Sequence, residues 1–295
     1  MNIRRIIAGS TAALTAATLV ACSGDNAAYT PYSKDDTITI GTTDASLESW
    51  SVFEEVAEEH GFNIEIENFA EYSQPNPALS QGENDINKFQ HLMFLAQYNV
   101  DSGDDLAPLV STEIYKMGLF WEGADELDVD KIEGEEVVIP NDTVNQGRAL
   151  LLLREAGLVE LVGDVKYTPS VADIDKEASK VTVTTVDASE TARQYRLGQP
   201  AVINNNFLDQ ANIDPEEAIF DDDPNAESAE PYINLWVVRA DAVDDEVLNE
   251  LAELWHDERV AKAVFEESGG TTVQVQRPRE ELQKILDDLE AELQG

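Results

Sequence analysis

The sequence predicts an α/β protein with largely parallel sheets, because apolar strands alternate with amphipathic helices along most of the chain. The segment from Thr37 to Thr43 alternates threonine and isoleucine, as a strand does. The next segment, Leu47 to Gly61, places Trp50 and Phe53 on one helical face and ends at a glycine. Phe62 to Phe69 then has the pattern of a second strand. The chain is therefore expected to begin as a βαβ unit.

Later segments continue this alternation. Further strands are predicted at Ala107 to Tyr115, Glu135 to Pro140, Lys180 to Val186, Pro200 to Asn204 and Tyr232 to Arg239. Helices are predicted at Asn145 to Ala156, Val247 to His256, Arg259 to Glu267 and Arg279 to Leu293.

Two further segments have a predicted place in the fold. The last helix carries Leu282, Leu286 and Leu289 at helical spacing. If the chain folds as two lobes, this apolar face favours packing on the first, N-terminal lobe over binding a partner. The acidic patch near Asp221 is expected to form an exposed, solvated loop, after which the chain returns to the first lobe.

Length and charge limit the possible functions. A chain of 295 residues is long enough for one large domain or two lobes. It has 60 acidic and 19 basic side chains, with a formal net charge of -41. This excess argues against a nucleic-acid partner, because binding phosphates requires clustered lysine and arginine. It also predicts a strongly hydrated surface that would suit high salt.

The N-terminal segment has the features of a bacterial lipoprotein signal. Arg4 and Arg5 precede a small and apolar run, which ends in the lipobox Leu19-Val20-Ala21-Cys22. We expect residues 1–21 to be removed and Cys22, the only cysteine, to be acylated, palmitate included. The alternative is an ordinary signal peptide with a chance cysteine.

Residues 22–36 are small, polar and charged, as expected for a flexible tether. No later segment has the roughly 18 unbroken apolar residues of a membrane helix. These features predict a protein that is anchored to the membrane by lipid, faces outside the cytoplasm and is otherwise soluble.

One arginine stands out in the segment IPNDTVNQGRALLLL, which begins at Ile139. Asn141 or Asp142 can cap the predicted helix, whose first free N–H groups form an anion site. Arg148 lies about two turns into that helix, and a guanidinium can hold a carboxylate through two parallel hydrogen bonds. The alternative is that Arg148 is an exposed helix residue paired with one of the abundant carboxylates.

Four segments together resemble a known family. They are AEYSQPNPALSQGENDINKFQHLMFL, IPNDTVNQGRALLLL, AVINNNF and PYINLWVVR. In order and spacing they are similar to the methionine-binding lipoproteins of ABC importers, often called NlpA or MetQ, from Ile38 to about Gly270. The resemblance implies a two-lobed, periplasmic-binding-protein-like (type II) α/β fold with a ligand cleft between the lobes. Lobe 1 would comprise residues 37–115 and 232–295, and lobe 2 residues 116–231.

The resemblance also implies nine ligand-binding residues. Arg148, assisted by Asn145, would hold the ligand carboxylate. Polar contacts to the amino and carboxyl groups would come from Asn204, Asn206 and Asn234. The wall around the thioether would be Tyr72, Phe89, His91 and Phe94.

Each of these positions has an ordinary structural alternative. The aromatic residues could belong to a core, and the asparagines could terminate strands or form turns. Phe94 departs from the tyrosine that is common in the family, so this pocket would be somewhat more apolar.

The implied function is binding without turnover: capture of L-methionine or a close analogue and delivery to the permease subunits of the importer. No cofactor, metal or nucleic acid is expected. His60, His91 and His256 are far apart in the sequence, and no P-loop or Gly-x-Ser-x-Gly elbow is present. Another amino acid or a methionine-containing dipeptide stays open as the ligand, as do, with less support, a lipoprotein enzyme and an adhesin.

Overall fold

The computed structural model describes residues 29–163 and 165–295. The predicted signal peptide and the predicted lipidation site Cys22 lie outside the described residues, as does the first part of the predicted tether. Within the described ranges, no helix combines the length and the apolar character needed to span a bilayer.

Twelve strands form the sheets of the described chain. In order they are β1 (Thr37–Thr42), β2 (Asn63–Asn68), β3 (Ile86–His91), β4 (Leu106–Ser111), β5 (Glu113–Ile114), β6 (Met117–Phe120), β7 (Glu136–Pro140), β8 (Thr182–Val186), β9 (Ala201–Asn204), β10 (Phe220–Asp221), β11 (Asn234–Arg239) and β12 (Val273–Gln274).

Nine α-helices are present in the same part of the chain. In order they are α1 (Glu48–Glu59), α2 (Pro75–Gln81), α3 (Leu92–Ser102), α4 (Val129–Ile132), α5 (Thr143–Glu155), α6 (Ala188–Arg196), α7 (Glu246–Glu253), α8 (Glu258–Glu267) and α9 (Arg279–Gln294).

The strands form two five-stranded sheets and one short ribbon. The first sheet has the order β2-β1-β3-β11-β4, and the second has the order β10-β6-β9-β7-β8. In the first sheet β1 pairs in parallel with β2 and β3, while β11 is antiparallel to its neighbours β3 and β4. In the second sheet β7 pairs in parallel with β8 and β9, while β6 is antiparallel to β9 and β10 is antiparallel to β6. The predicted parallel pairing therefore holds for three strands of each sheet.

Aromatic side chains fill the core on one side of the first sheet. Trp50 and Phe53 lie on the buried face of α1, as the sequence predicted. The ring centroid of Trp50 lies 5.9 Å from that of Trp236 on β11 and 4.9 Å from that of Trp255. Large apolar rings contribute much of the free energy of burial, so this cluster anchors α1 against the sheet.

The C-terminal helix packs as predicted. Leu282, Leu286 and Leu289 of α9 are buried in a cluster that includes residues of α3 and β11. Helix α9 contacts α3 and β4. Its apolar stripe therefore belongs to the core of the first sheet.

Several predicted elements differ from the observed ones. The strand predicted from Ala107 to Tyr115 divides at Thr112 into β4 and β5, and the helix predicted to His256 ends as a 3-10 turn. Helices α2, α3, α4 and α6 and strands β3, β6, β10 and β12 were not predicted from the sequence. Strand β3 carries the buried polar side chains Asn87, Lys88 and Gln90, which remove the apolar alternation that marks a strand.

The prediction of an exposed, solvated loop at the acidic patch is wrong for its first residues. Asp221 belongs to β10, and its carboxylate lies 3.0 Å from the ammonium of Lys116. The Asp222 carboxylate pairs with Arg148. Both carboxylates are thus fixed by a cationic partner. Amino-acid composition does not show which carboxylates have such a partner, so these two could not be told apart from solvated ones.

Helix α5 makes a close backbone contact at Gly147, which leads to a stability prediction. A Cβ atom at Gly147 would lie 2.6 Å from the carbonyl oxygen of Tyr167 and 2.8 Å from Cα of Thr168. Replacing glycine by alanine inside a helix usually stabilises it by about 1 kcal/mol. Here we expect Gly147→Ala to lower the free energy of unfolding by about 1–3 kcal/mol, because backbone atoms must move.

Urea-induced unfolding measures this difference. The matched control is Arg154→Ala, on an exposed position of the same helix, which should change the free energy of unfolding by about 0.5 kcal/mol or less. A Gly147→Ala protein that is more stable than the wild type would contradict the close contact.

Candidate functional site

The site is built around the start of α5. The buried strand β7 ends at Pro140, and the side chain of Asp142 then caps α5 by accepting a 2.9 Å hydrogen bond from the backbone N–H of Asn145. Of the two caps that the sequence offered, Asp142 is the one used. Asn145 and Arg148 lie on the buried face of the helix. This arrangement places an amide and a guanidinium inside the protein.

Arg148 is held by three groups from different segments. Its Nε donates a 2.7 Å hydrogen bond to Oδ2 of Asp222, and its Nη2 donates a 2.8 Å bond to the carbonyl oxygen of Tyr115. The guanidinium carbon lies 4.2 Å from the ring centroid of Tyr232. Because a guanidinium has five N–H donors, three are left without a partner among the described residues.

Arg148 is only 5% exposed, so the alternative interpretation of an exposed helix residue is wrong, although the carboxylate partner that this alternative included is present.

Two of the asparagines, Asn145 and Asn204, are joined by hydrogen bonds that start at the helix cap, and a third, Asn206, bonds to Tyr72. Nδ2 of Asn145 donates to the Asp142 carboxylate, and Oδ1 of Asn145 accepts a 2.8 Å bond from Nδ2 of Asn204. The Tyr72 hydroxyl donates to Oδ1 of Asn206. Oδ1 of Asn204 and Nδ2 of Asn206 are buried without a partner in the described part of the chain. Such atoms are costly to leave unpaired, so they indicate a polar ligand or water.

Aromatic rings form the opposite wall of the site. The centroids of Tyr72 and Phe89 are 6.2 Å apart, and those of Phe89 and Phe94 are 5.7 Å apart. His91 presents its ring edge-on to Tyr232 at 5.2 Å. Rings in these arrangements offer a continuous apolar surface.

A buried amide network holds this wall in place. Gln90 donates to Oδ1 of Asn76 at 2.6 Å and to Oδ1 of Asn87 at 3.0 Å. Asn76 donates in return to Oε1 of Gln90 at 2.7 Å. The network joins α2 to β3, so it sets the register of the strand that carries Phe89 and His91. In the segment Phe89-Gln90-His91, Gln90 therefore belongs to this buried network, while Phe89 and His91 line the site.

All nine residues predicted from the resemblance line one cavity of about 50 Å³. They come from segments of both five-stranded sheets. Seven further residues line this cavity and were not predicted from the sequence: Asp44, Lys88, Gln90, Tyr115, Lys116, Met117 and Asn205.

Two of the missed residues had a signal in the sequence. Lys88 directly precedes the predicted site residue Phe89, and a lysine there must be paired if it is buried. It lies 2.8 Å from the carboxylate of Glu113. Asp44 follows the first predicted strand closely, and ligands of α/β proteins commonly bind beyond the carboxyl ends of parallel strands.

His91 is neutral in this environment. Burial, together with the positive charge of Arg148, lowers the pKa of His91 to about 3. Its Nδ1 accepts a 3.2 Å hydrogen bond from the backbone N–H of Phe94, which caps α3. The proton of the neutral ring is therefore on Nε2.

Two five-stranded sheets, whose segments together line one polar and aromatic cavity, define a two-lobed α/β protein of the periplasmic-binding-protein class. A family model described as NlpA lipoprotein matches residues 38–276. The chain belongs to the NlpA lipoprotein family, which confirms the family predicted from the four sequence segments.

Individual relatives agree with this assignment. The D-methionine-binding lipoprotein MetQ of Salmonella typhi is 32% identical over 219 residues, which cover 73% of this chain and 79% of the relative. The structure of protein PG110 from Staphylococcus aureus is 34% identical, has a TM-score of 0.79, and is matched over 85% of this chain and 99% of that chain.

The substrate-binding protein of a methionine transporter from Streptococcus pneumoniae is 30% identical, with a TM-score of 0.74 over 81% of this chain and 95% of that chain. These neighbours confirm the predicted fold class.

The low pKa of His91 predicts a pH dependence of stability. An unfolded histidine has a pKa of about 6.5, so the unfolded chain binds a proton at a pH where folded His91 does not. The stability that His91 contributes is complete above pH 6.5 and is lost as the pH falls towards 3. Between pH 7 and pH 5 we expect the wild type to lose about 2 kcal/mol more than His91→Asn, which can still cap α3.

Denaturant unfolding at the two pH values measures this difference, and His256→Asn serves as a control that removes a histidine outside the cavity. Equal losses in the wild type and in His91→Asn would show that His91 is not held neutral by the fold.

Proposed function

We propose that this chain is the substrate-binding protein of an ABC importer, which captures methionine or a close analogue and delivers it to the membrane permease. One observation carries the proposal. Arg148 and two asparagines offer unpartnered polar atoms beside a cavity whose other wall is aromatic. Relatives that are named for methionine binding and methionine transport support the same ligand class.

We assign the polar end of the ligand to Arg148 and the asparagines. The remaining N–H donors of Arg148 suit a carboxylate, because a charged and planar pair of donors matches its two oxygens. Asn145, Asn204, Asn206 and Asn234 supply neutral donors and acceptors for the carboxyl and amino groups.

We assign the side chain of the ligand to the aromatic wall. Tyr72, Phe89, His91 and Phe94 offer ring edges and faces, and a thioether makes favourable contacts with aromatic rings. His91 suits this position because its neutral ring presents no full charge to an apolar side chain. An unbranched chain also has few shape requirements, so such a slot would accept methionine well.

The mechanism that we propose is closure around the ligand without chemical turnover. Lobe 1 would comprise residues 37–115 and 232–295, and lobe 2 residues 116–231. The cavity of about 50 Å³ has room for only a few water molecules and is smaller than methionine. The ligand would therefore enter while the lobes are apart. Contacts to both lobes would then shift the population towards the closed form, which the permease would recognise.

The location that we propose is the outer face of the cell membrane. Removal of residues 1–21 would expose Cys22 for acylation, and residues 22–36 would connect the lipid to the folded part. Relatives named as lipoproteins support this arrangement.

Calorimetric titration of the mature chain, with Cys22 replaced, tests the ligand and the role of Arg148. The titrants are L-methionine, D-methionine, glycyl-methionine and a panel of other amino acids. Arg148→Ala should weaken binding at least about 30-fold, because removing one partner of a buried charge pair costs about 2–5 kcal/mol. Arg148→Lys should restore only part of the affinity, because an ammonium cannot make the bidentate contact.

The control is Arg154→Ala, which removes an exposed arginine from the same helix and should bind as the wild type does. Thermal unfolding of each variant separates lost binding from lost folding, since Asp222 loses its partner in Arg148→Ala. Unchanged affinity in a folded Arg148→Ala protein would remove the proposed role of Arg148. Heat from none of the titrants would remove methionine as the ligand.

Small-angle X-ray scattering tests closure independently. If the ligand joins the two proposed lobes, saturating methionine should reduce the radius of gyration of the wild type, and Arg148→Ala at the same concentration should show a smaller change. A radius that does not respond to saturating ligand would argue against closure even where calorimetry detects binding.

A further inference from the structure

The cavity contains a carboxylate that the proposed ligand contacts leave unexplained. Asp44 lies two residues beyond β1, lines the cavity and is 6% exposed. Its Oδ1 accepts a 2.6 Å hydrogen bond from the Thr42 hydroxyl and a 2.7 Å bond from Nε1 of Trp50. Its Oδ2 makes no hydrogen bond and no ion pair with any residue that the structure describes. One oxygen of a buried carboxylate is therefore left for another partner.

The other charged groups of the cavity have partners. Lys88 lies 2.8 Å from the carboxylate of Glu113, which also accepts a 3.0 Å bond from Trp255. Arg148 lies 2.7 Å from Asp222, and Lys116 lies 3.0 Å from Asp221. Within the described chain, Asp44 is thus the cavity-lining charge without an opposite charge beside it. A buried charge is costly when unpaired, so a cationic group at this position would be favoured strongly.

The orientation of Asp44 is set by its surroundings. Trp50, which holds Oδ1, is 1% exposed and packs against Trp236 and Trp255. A donor that is fixed in a packed core leaves its acceptor little freedom to rotate. Binding a cation at Oδ2 would therefore require little ordering of the side chain, which favours affinity.

We propose that Asp44 binds the ammonium group of the ligand through Oδ2. This inference rests on the proposed function, since it assumes a ligand whose carboxylate is held by Arg148. Neutral asparagine oxygens can also accept from an amino group, but a carboxylate prefers the charged form. Asp44 thereby makes the site select ligands with a free ammonium over acylated ones.

Two sources could supply this ammonium. In a free amino acid it is attached next to the carboxylate, and in a dipeptide it lies one residue further away. The chemistry at Asp44 is the same for both, so ligands of both lengths belong in the test.

The test is calorimetry of the mature chain with L-methionine, glycyl-L-methionine and N-acetyl-L-methionine, which lacks the ammonium. The wild type should bind N-acetyl-methionine at least about 30-fold more weakly than the better of the two ammonium ligands. Asp44→Asn keeps an Oδ1 acceptor for Thr42 and Trp50 but removes the charge. It should weaken the ammonium ligand by a similar factor and leave N-acetyl-methionine within about threefold, so that the discrimination is lost.

The ligand that loses affinity in Asp44→Asn identifies the source of the ammonium. Asp125→Asn is the matched control, because it removes the same charge from an exposed position and should change none of the affinities. Equal weakening of all three ligands, or of none, would overturn the role of Asp44.

The ligand comparison in the wild type can still overturn the proposal if Asp44→Asn does not fold. N-acetyl-methionine that binds the wild type as tightly as methionine would overturn the proposal for Asp44 while supporting the proposed function. A wild type that binds none of the three would overturn the proposed function, and the assignment of Asp44 with it.

Discussion

The ion pair between Arg148 and Asp222 is the interaction on which the site depends. A buried guanidinium is tolerated only when it is paired, and Asp222 satisfies this requirement at 2.7 Å. Tyr115 and Tyr232, which also contact Arg148, lie on the two segments that connect the five-stranded sheets. One side chain therefore ties the helix α5 to both connections. The position of the guanidinium and the arrangement of the sheets are held by the same contacts.

The other polar side chains of the site are arranged in a similar way: hydrogen bonds to some of their polar atoms fix their orientation. Asn145 is held by the helix cap and in turn holds Asn204, whose second polar atom stays unpaired. Tyr72 orients Asn206 in the same way, and Trp50 orients Asp44. Groups that are already ordered lose little entropy when they bind a ligand. The cavity is thus a set of preorganised donors and acceptors rather than a flexible polar pocket.

The sequence predicted those parts of the fold in which local pattern and burial agree. Strand β1 and helix α1 were found because their apolar residues recur at the period of each element, and α5 because a capping aspartate precedes it. Strand β3 was missed because Lys88 and two amides lie inside it, each paired with a residue outside the strand. Asp44 and Asp222 were hidden for another reason. Among 60 acidic residues, only the three-dimensional structure shows that Asp44 is buried and that Asp222 is paired with a buried arginine.

The large negative charge of the protein and the proposed carboxylate site at Arg148 are compatible because the two electrostatic effects act over different distances. At physiological ionic strength exposed charges are screened beyond about 8 Å, whereas charges inside the cavity act on a ligand through little intervening water. An anion without an ammonium would be repelled by the net charge of the protein and by Asp44. A cation without a carboxylate would be repelled by Arg148. A zwitterion carries no net charge and can satisfy both residues. Opposite charges lining one cavity therefore favour amino acids and short peptides over other ions, whatever the composition of the surface.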